Sequence, residues 1–344
     1  MTAPEGPEGI DRANVEAWYR ANIAGAEPPL HFDRLAGGHS NLTYRVTDAN
    51  GAVTVLRRPP MGELLPSAHD MFREYRAISA LAGTGVPVAP SLGFCEDLAV
   101  TGARFYVMGF VDGFVLHDHA DVQAHLPEDR RDRAGRSLME VAAAMHALDI
   151  DEIGLGDLGK REDYVTRQMN RWYRQYQASR GSTPLMDEVY ERLSARLPAQ
   201  QRASLVHGDY RLGNTITAAD GNVAAVLDWE ICTLGDPLAD VGYLLAMWAE
   251  PGETFTTTAT CPSALPGFPS RAELLEHYGR HSALDLSDMP LYVAFSFWKV
   301  GCINQGVWDR YDAGQKEAHD VDVPAIRASV DTLAELARDA LSQL

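Results

Sequence analysis

The chain has 344 residues, a length that suggests about two domains or one domain built of two lobes. Apolar residues make up 46% and charged residues 23%, which is ordinary for a globular protein that buries its core without disulfides or a structural metal. Acidic residues number 48 and basic residues 30, and the formal net charge of -18 argues against general binding to nucleic acid or to an anionic membrane surface.

The cysteines and the N-terminal segment indicate the cellular environment. No two cysteines form a C-x-x-C pair, so a zinc ribbon and a thioredoxin-type redox motif are excluded. The segment MTAPEGPEGIDRAN is acidic and lacks an apolar stretch, so it does not resemble a signal peptide. No segment has the roughly 18 to 20 uncharged apolar residues of a membrane helix. These features predict a reduced, cytoplasmic protein.

The first third of the chain is predicted to be rich in strands. HFDRLAGG and NLTYRVTDAN indicate two strands around a glycine-rich turn, and Asn50-Gly51 indicates a hairpin leading into the strand AVTVLRR. PSAHDMFREYRAISALAG has helical apolar spacing, with Ser67 as a candidate N-cap. SLGFCED and ARFYVMGF indicate a final strand pair. The predicted order over residues 31–110 is strand, strand, strand, helix, strand, strand.

Helices dominate the rest of the chain. Helical periodicity is present in DRAGRSLMEVAAAMHALD, REDYVTRQMNRWYRQYQAS, PLMDEVYERLSARL and VPAIRASVDTLAELARDALSQL. Between them lie the short strand candidates SLVHGD, NTITAADG and NVAAVLDWE. The sequence therefore predicts an α+β chain, with a small sheet-plus-helix lobe over residues 1–110 and a larger, mainly helical lobe over residues 111–344.

Polar side chains at the ends of short apolar strands carry the clearest chemical signal. Asp209 follows LVHG, Asn214 lies five residues later, and Asp228 ends AAVL. A carboxylate at the end of a buried strand is costly unless it has a partner or a function. Two carboxylates and one amide supply the hard oxygen ligands that suit Mg²⁺ beside substrate phosphates, and a carboxylate can also take a proton from a hydroxyl. The alternative is a solvated hairpin with ordinary turn residues.

The segment HGDYRLGN…VLDWEICTLGDPLADVGYLL resembles the aminoglycoside phosphotransferase family of kinase-like enzymes. Within that family it is most similar to the kinase-like domains attached to acyl-CoA dehydrogenases. The pattern H-x-D-x-x-x-x-N followed by a second Asp, the Gly after the His, and DWE where protein kinases have DFG carry the resemblance. The likeness covers roughly residues 30–310. It implies a protein-kinase-like fold of two lobes that uses ATP and Mg²⁺.

The resemblance also implies roles for the residues of this segment. Asp209 would be the catalytic base for the acceptor hydroxyl. Asn214 and Asp228 would hold Mg²⁺ against the ATP phosphates. Arg211 would meet the transferred phosphoryl group, and His207 would brace the loop. Catalysis of this kind depends on positioning and charge neutralisation rather than on covalent chemistry.

Nucleotide-binding residues are expected earlier in the chain. AGGHSNLTY lies where a kinase-like fold has its phosphate loop, so Gly37, Gly38 and Ser40 are candidates, although the G-x-G-x-x-G spacing of protein kinases is absent. Arg57 in VTVLRR stands where the family usually has Lys, and Glu74 is the expected partner on the following helix. The alternative for both is a pair of surface charges.

A strand and its continuation are candidates for binding adenine. RFYVMGFVDG would join the lobes, and the resemblance implies that backbone groups near Met108, Gly109 and Phe110 bond the base. The ring would lie against apolar side chains such as Val55. The same residues also suit the apolar core of a sheet.

Gly-Asp-Pro at 235–237 indicates a helix start, with Asp236 as the N-cap and Pro237 at the first helical position. Asp240 then lies in the first turn, where compensation of the helix dipole is favoured over a direct catalytic role, although the resemblance implies that this region supports the catalytic loop.

Two further groups of residues are considered. The histidines of HDHADVQAH, His117, His119 and His125, form a short cluster, but a metal site there is disfavoured because no thiolate or helical i, i+4 pairing accompanies them. Two aromatic-rich helices are typical of a buried core. The resemblance implies that four of their residues contact the acceptor, namely Trp172, Tyr176, Trp298 and Arg310.

The favoured hypothesis is a phosphotransferase that moves the γ-phosphoryl group of ATP to a hydroxyl of a small molecule. The acceptor would be aminoglycoside-like or a hydroxylated acyl or lipid-derived metabolite. A protein-serine kinase is disfavoured because no D-F-G to A-P-E segment is present. The alternative is a nucleotide-binding pseudokinase that acts as a scaffold, because Arg57 replaces Lys and the glycine loop is irregular.

Overall fold

The computed structural model describes residues 6–35, 41–62, 70–181, 183–253, 261–314 and 321–343. The chain forms two compact units. The first unit contains residues 1–112 and 224–232, and the second contains residues 113–223 and 233–344. A division of the sequence at residue 110 places 224–232 in the later lobe, whereas the structure groups this segment with the first unit.

The first unit contains the strands and the helix that the sequence predicts between residues 31 and 110, in the predicted order. Two helices that the sequence pattern did not reveal, α1 and α3, are added to them. The elements are α1 (Arg12–Asn22), β1 (His31–Arg34), β2 (Leu42–Thr47), β3 (Val53–Arg58), α2 (Met71–Leu81), β4 (Ser91–Cys95), α3 (Leu98–Thr101) and β5 (Phe105–Gly109).

The strands form one antiparallel sheet in the order β1-β2-β3-β5-β4. Successive side chains of a strand point to opposite faces, so Leu56 packs with the core beside α1 while Arg57 lies on the other face. The predicted hairpin is confirmed between β2 and β3, where Asp48 N–H donates to the Ala52 carbonyl at 3.0 Å and Gly51 has φ +82°.

Helix α2 packs against β4 and β5. Asp70 caps it, because its carboxylate accepts hydrogen bonds from the N–H groups of Phe72 and Arg73 at 3.1 and 3.2 Å. The predicted cap Ser67 lies outside the described residues. Glu74 is in the first turn of α2 and is almost completely buried, which is unusual for a carboxylate.

The second unit contains most of the helices and the short strands that flank the H-x-D motif. Strand β9 begins in this unit and ends in the first. The elements are β6 (Phe114–Val115), α4 (His119–His125), α5 (Glu128–Ala147), α6 (Tyr164–Ala178), α7 (Pro184–Ser194), β7 (Ser204–Val206), β8 (Thr215–Thr217), β9 (Val223–Val226), β10 (Thr233–Gly235), α8 (Leu238–Ala246), α9 (Arg271–His281), α10 (Met289–Asp312) and α11 (Val323–Leu341).

The predicted helices of this region are confirmed as α5, α6, α7 and α11, and the predicted strands as β7, β8 and β9. Helix α10 packs against α6, α7, α8 and α11, which explains why it is apolar over most of its length. Strand β7 pairs antiparallel with β10, with Leu205 opposite Leu234. No helix in the described part of the chain is both long enough and apolar enough to cross a membrane.

Helix α8 begins one residue later than the sequence predicts. Its first residue is Leu238, so Pro237 occupies the N-cap position and no side-chain cap is formed from it. The Asp236 carboxylate still accepts the Leu238 N–H at 3.1 Å, and it also accepts the Tyr292 hydroxyl at 2.7 Å. Asp236 therefore joins the start of α8 to α10.

Candidate active site

The loop after β7 carries the H-G-D sequence in a tightly specified conformation. Gly208 has φ +88°, a backbone conformation that residues with a Cβ atom rarely adopt. A short 3-10 turn, Leu212–Asn214, follows and leads into β8. The glycine thus lets the chain reverse between a buried strand and this turn, so that Asp209 and Asn214 come together.

Asp240 fixes this loop through its backbone. Its carboxylate accepts the N–H of His207 at 2.6 Å and the N–H of Gly208 at 2.8 Å. Burial opposes the ionised form, but hydrogen bonding and charge from His146 lower the pKa of Asp240 below its ordinary value. Compensation of the helix dipole is therefore an incomplete interpretation of Asp240, because its carboxylate binds the loop.

The Asp209 carboxylate is held by neighbours from the same unit. Asn214 Nδ2 donates to Asp209 Oδ2 at 2.7 Å and to the Asp209 carbonyl at 2.8 Å. Arg211 Nε lies 3.4 Å from Asp209 Oδ1, and burial together with the Asp209 carboxylate raises the pKa of the nearby Tyr243. Both bonds of Asn214 use its amide nitrogen, so its oxygen is left as a possible ligand for a cation.

His207 is the first residue of this loop, and its side chain is completely buried. Its ring Nδ1 accepts the Asp209 N–H at 3.3 Å, and the ring packs edge-on against Tyr210 with centroids 5.9 Å apart. These contacts suit the bracing function that the resemblance implies, rather than contact with a substrate.

Lys299 is a charged residue near this loop that the sequence analysis did not identify. It lies on α10 with 8% of its surface exposed, and its Nζ donates to the Gly208 carbonyl at 3.1 Å. Burial lowers the pKa of Lys299, while the carboxylates of Asp209 and Asp240 act in the opposite direction. The feature of the sequence that could have drawn attention to Lys299 is its position as the single charged residue in the apolar stretch FSFWKVGC.

A cavity of about 310 Å³ opens beside Asp209 within the second unit. Its wall combines polar groups next to the loop with apolar side chains from α8 and α10. The residues that line it include His117, Asp209, Arg211, Tyr243, Met247 and Ile303. The cavity is large enough for part of a small molecule.

The first unit carries a second polar cluster around Arg57. Arg57 Nε lies 3.0 Å from Glu74 Oε2, and Arg57 Nη2 donates to Asp228 Oδ1 at 2.6 Å. The predicted Arg57–Glu74 pair is therefore formed and is buried rather than a pair of exposed charges. Burial opposes the charge of Arg57, but Glu74, Tyr106 and Asp228 raise its pKa above the ordinary value.

Glu74 has further partners in this cluster. Tyr106 donates its hydroxyl hydrogen to Glu74 Oε2 at 2.8 Å, and Asn41 Nδ2 donates to Glu74 Oε1 at 3.2 Å. Burial raises the pKa of Glu74 to about 7, although Arg57 and Tyr106 both lower it. The side chain is thus fixed in place whether or not a ligand is near.

Asp228 has features of a functional carboxylate. Its φ of +63° is uncommon for a residue other than glycine, and strain of this kind is frequent at functional sites. Carboxylate oxygens of Glu74, Asp228 and Glu230 lie within 4.8 Å of one another. The donor set is made of hard oxygen atoms, and it therefore fits Mg²⁺ chemically.

Two of the adenine candidates, Val55 and Met108, lie on one sheet face. Val55 pairs with Met108 across β3 and β5, and both are buried. Gly109 N–H is already bonded to the Pro90 carbonyl at 2.8 Å, so this donor is not free for a base. Phe110 follows the strand and is partly exposed. The remaining phosphate-loop candidates Gly37, Gly38 and Ser40 lie outside the described residues.

The other candidates have different positions. Tyr176 and Trp298 are buried in the helical core, as the core interpretation expects. Trp172 and Arg310 line another cavity, of about 510 Å³, that does not include Asp209. Among the described residues, the histidines of HDHADVQAH form no metal-binding cluster, and His117 instead lines the cavity beside Asp209.

Each unit brings together one part of the predicted site. The second unit joins His207, Asp209, Arg211 and Asn214, and the first unit joins Arg57, Glu74 and Asp228. Sequence analysis missed Lys299 and Tyr243, and for Asp240 it gave support of the catalytic loop only as an implication of the resemblance, without the contacts that provide it.

Known proteins show a clear relationship to this chain. The family model described as "Phosphotransferase enzyme family" matches residues 31–281. Acyl-CoA dehydrogenase family member 10 of Mus musculus is 37% identical over 323 residues, which is 90% of this chain but 29% of the mouse protein. Acyl-CoA dehydrogenase family member 11 of Rattus norvegicus is 34% identical over 97% of this chain and 44% of the rat protein. The chain thus spans less than half the length of these relatives.

A solved structure supports the same relationship. A Ralstonia eutropha protein assigned to the aminoglycoside phosphotransferases superposes with a TM-score of 0.83 at 33% identity, with 97% of this chain and 99% of that one covered. The predicted α+β, kinase-like fold is confirmed. The match to the family model covers most of the chain, and the chain belongs to the phosphotransferase enzyme family.

Proposed function

We propose that the chain transfers the γ-phosphoryl group of ATP to a hydroxyl group of a small molecule, with Mg²⁺. The observation that carries this proposal is the Asp209 carboxylate, which Asn214 holds at 2.7 Å beside a cavity of about 310 Å³. A carboxylate in that position can accept the hydroxyl proton as the oxygen attacks the phosphoryl group. The products would be ADP and a phosphate ester.

The proposed division of work follows the two parts of the chain. Residues 1–110, together with 224–232, would bind the nucleotide, and most of residues 111–344 would bind the acceptor. Arg57 would pair with the nucleotide phosphates, with Glu74 keeping it in place at 3.0 Å. Val55 and Met108 would contact the adenine ring.

Mg²⁺ would be held by Asn214 and Asp228. When bound, the ion neutralises phosphate charge. Asp228 would have to exchange its present bond to Arg57 Nη2 for the cation, and Asn214 would use its amide oxygen while its nitrogen keeps Asp209 oriented. Arg211, which lies 3.4 Å from Asp209, would stabilise charge on the transferred group.

The cavity favours an acceptor with an apolar body over an aminoglycoside. Among the described residues that line it, Asp209 is the only carboxylate, whereas Arg211 adds positive charge. A polycationic acceptor needs several anionic partners, and apolar side chains such as Met247 and Ile303 cannot supply them. The relatives named as acyl-CoA dehydrogenase family members support a hydroxylated acyl or lipid-derived acceptor.

An acceptor panel tests this function. Purified protein is incubated with Mg-ATP and with either hydroxylated acyl compounds or aminoglycosides, and phosphorylated products are detected by mass spectrometry. We expect phosphate esters from the hydroxylated acyl arm. Esters formed from aminoglycosides alone would contradict the proposed acceptor class. ATP binding without any product would support the alternative function, a pseudokinase scaffold. That alternative is motivated by Arg57, which stands where a Lys is expected.

A further inference from the structure

Lys299 is unusual because it places a charge inside an apolar helix. It is 8% exposed, and most of its neighbours on α10 are buried apolar or aromatic residues. Removing an ammonium group from water is costly, so a Leu or Met at this position would be expected to give a more stable core. The position of the charge therefore needs an explanation beyond packing.

Two polar contacts of Lys299 are made with the catalytic loop and its support. Its Nζ donates to the Gly208 carbonyl at 3.1 Å and lies 5.3 Å from the centre of the Tyr243 ring. Tyr243 and Asp209 line the same cavity, and burial together with the Asp209 carboxylate raises the pKa of Tyr243. Lys299 thus contacts both the peptide that precedes Asp209 and an aromatic residue that lies near its side chain.

The peptide between Gly208 and Asp209 is constrained at both polar groups. Its carbonyl accepts from Lys299, and its N–H donates to His207 Nδ1 at 3.3 Å. The preceding N–H, that of Gly208, is held by Asp240 at 2.8 Å. Because Gly208 has no side chain to limit its own rotation, these bonds determine where the Asp209 carboxylate points.

We propose that Lys299 is a positioning residue that orients Asp209 for proton transfer, through the Gly208 carbonyl and the Tyr243 ring. This inference rests on the proposed function. Lys299 does not line the cavity beside Asp209, so it acts through other groups and does not contact the acceptor. The charge contributes to the reaction geometry at a cost in stability.

Lys299→Met tests this inference, because Met keeps an unbranched apolar stem and removes only the ammonium. The exposed Lys160→Met serves as the matched control. For Lys299→Met we expect kcat to fall at least tenfold, KM for Mg-ATP to stay within twofold, and the thermal unfolding midpoint to stay equal or rise. A residue with only a structural function would instead lower the midpoint and leave kcat unchanged.

A second measurement does not depend on an acceptor. Hydrogen exchange of the backbone N–H groups over residues 207–214, measured by mass spectrometry, is expected to accelerate more than tenfold in Lys299→Met and to be unchanged in Lys160→Met. Unchanged exchange in Lys299→Met, or a kcat within twofold of the wild type, would overturn the inference. If the wild type phosphorylates nothing, the proposed function fails, and the exchange rates still decide whether Lys299 positions the loop.

Discussion

Arg57 shows how one side chain organises a polar cluster. Its guanidinium reaches Glu74 through Nε and Asp228 through Nη2 at the same time. The single ammonium of a Lys, which the family usually has at this position, cannot present donors in two fixed directions. Arg57 is therefore well suited to bridge the two carboxylates, and its charge would remain available for phosphate once Asp228 binds a cation.

Replacements of Arg57 are expected to lower stability in a defined order. Arg57→Lys should reduce the free energy of unfolding by about 1–2 kcal/mol, because a Lys keeps only one of the two contacts, the ion pair with Glu74 or the hydrogen bond to Asp228. Arg57→Met should cost more, about 3–5 kcal/mol, since Glu74 would remain buried without its cation. Urea unfolding of the three proteins measures this, and an Arg57→Met protein as stable as the wild type would contradict the bridging function.

Helix α8 contributes to the catalytic loop through the carboxylate in its first turn. Asp240 accepts two backbone N–H groups from the loop and is completely buried. Sequence analysis identified the helix start but could not see this contact, because the partners lie more than 30 residues earlier in the chain. Burial and long-range pairing, rather than local sequence, give Asp240 its function.

Asp240→Asn is expected to loosen the loop. An amide at this position presents an N–H group to another N–H group, so we expect a loss of about 2–3 kcal/mol in the free energy of unfolding and faster hydrogen exchange at Gly208. Asp236→Asn is the control, because Asp236 is also buried but bonds Leu238 and Tyr292 instead. Equal exchange at Gly208 in both variants would show that Asp240 does not hold the loop.

Helices α5 and α9 are joined by a charged bridge that gives a pH dependence. Glu140 accepts Arg133 at 2.7 and 2.6 Å and is 2.9 Å from His277 Nε2, and the Arg133 hydrogen bonds lower the pKa of Glu140 to about 2. Because its pKa is lower than the ordinary value of 4.5, the ionised Glu140 stabilises the fold at pH values above 4.5. This contribution is lost as the pH falls towards 2.

Glu140→Gln is expected to remove that pH dependence. Because Glu140 is partly exposed, we expect the variant to be less stable than the wild type by at most about 1 kcal/mol at pH 6, and the difference to shrink as the pH falls below 4.5. Urea unfolding at pH 6 and pH 3.5 measures both values. A difference that stays constant or grows at low pH would contradict the bridge.

At the scale of the whole molecule, the chain leaves the second unit at residue 224 and returns to it at residue 233. This short excursion carries Asp228 into the unit that contains Arg57 and Glu74. The sequence motif places Asp228 only 14 residues after Asn214, and spacing alone does not reveal which unit it joins. The bond to Arg57 at 2.6 Å is one of several contacts that associate this segment with the first unit, and others join Val226 N–H to the Pro87 carbonyl and Arg73 to the Cys232 carbonyl.

Asp228→Asn tests the proposed cation ligand. Asn tolerates the left-handed backbone of this position, so the fold is expected to persist while the charge is lost. At a ligand concentration of 100 times Kd, Mg-ATP should stabilise the wild type by about 2.7 kcal/mol, and the Mg²⁺-dependent part should disappear in the variant. The control is Asp163→Asn, another left-handed Asp, in the second unit. Equal Mg²⁺-dependent stabilisation in all three proteins would remove Asp228 from the site.

Local patterns predicted much of the fold and the core of the site. Strand and turn patterns predicted the order of strands and helix along residues 31–110, and helical periodicity predicted α5, α6, α7 and α11. The H-x-D-x-x-x-x-N spacing predicted that Asp209 and Asn214 meet. Lys299 could not be predicted, because its partner Gly208 is 91 residues away and a single charge in an apolar helix carries no directional signal.

³¹P NMR of the complete reaction tests most directly whether the Asp209 carboxylate acts as the base when the phosphoryl group passes from ATP to the acceptor hydroxyl. With Mg-ATP and a hydroxylated acyl acceptor, the wild type should form a phosphate ester and ADP in equal amounts. Asp209→Asn should bind Mg-ATP as tightly as the wild type but form the ester at least 10²-fold more slowly, roughly the contribution of a general base. Equal rates of ester formation in the two proteins would contradict the assignment of Asp209 as the base.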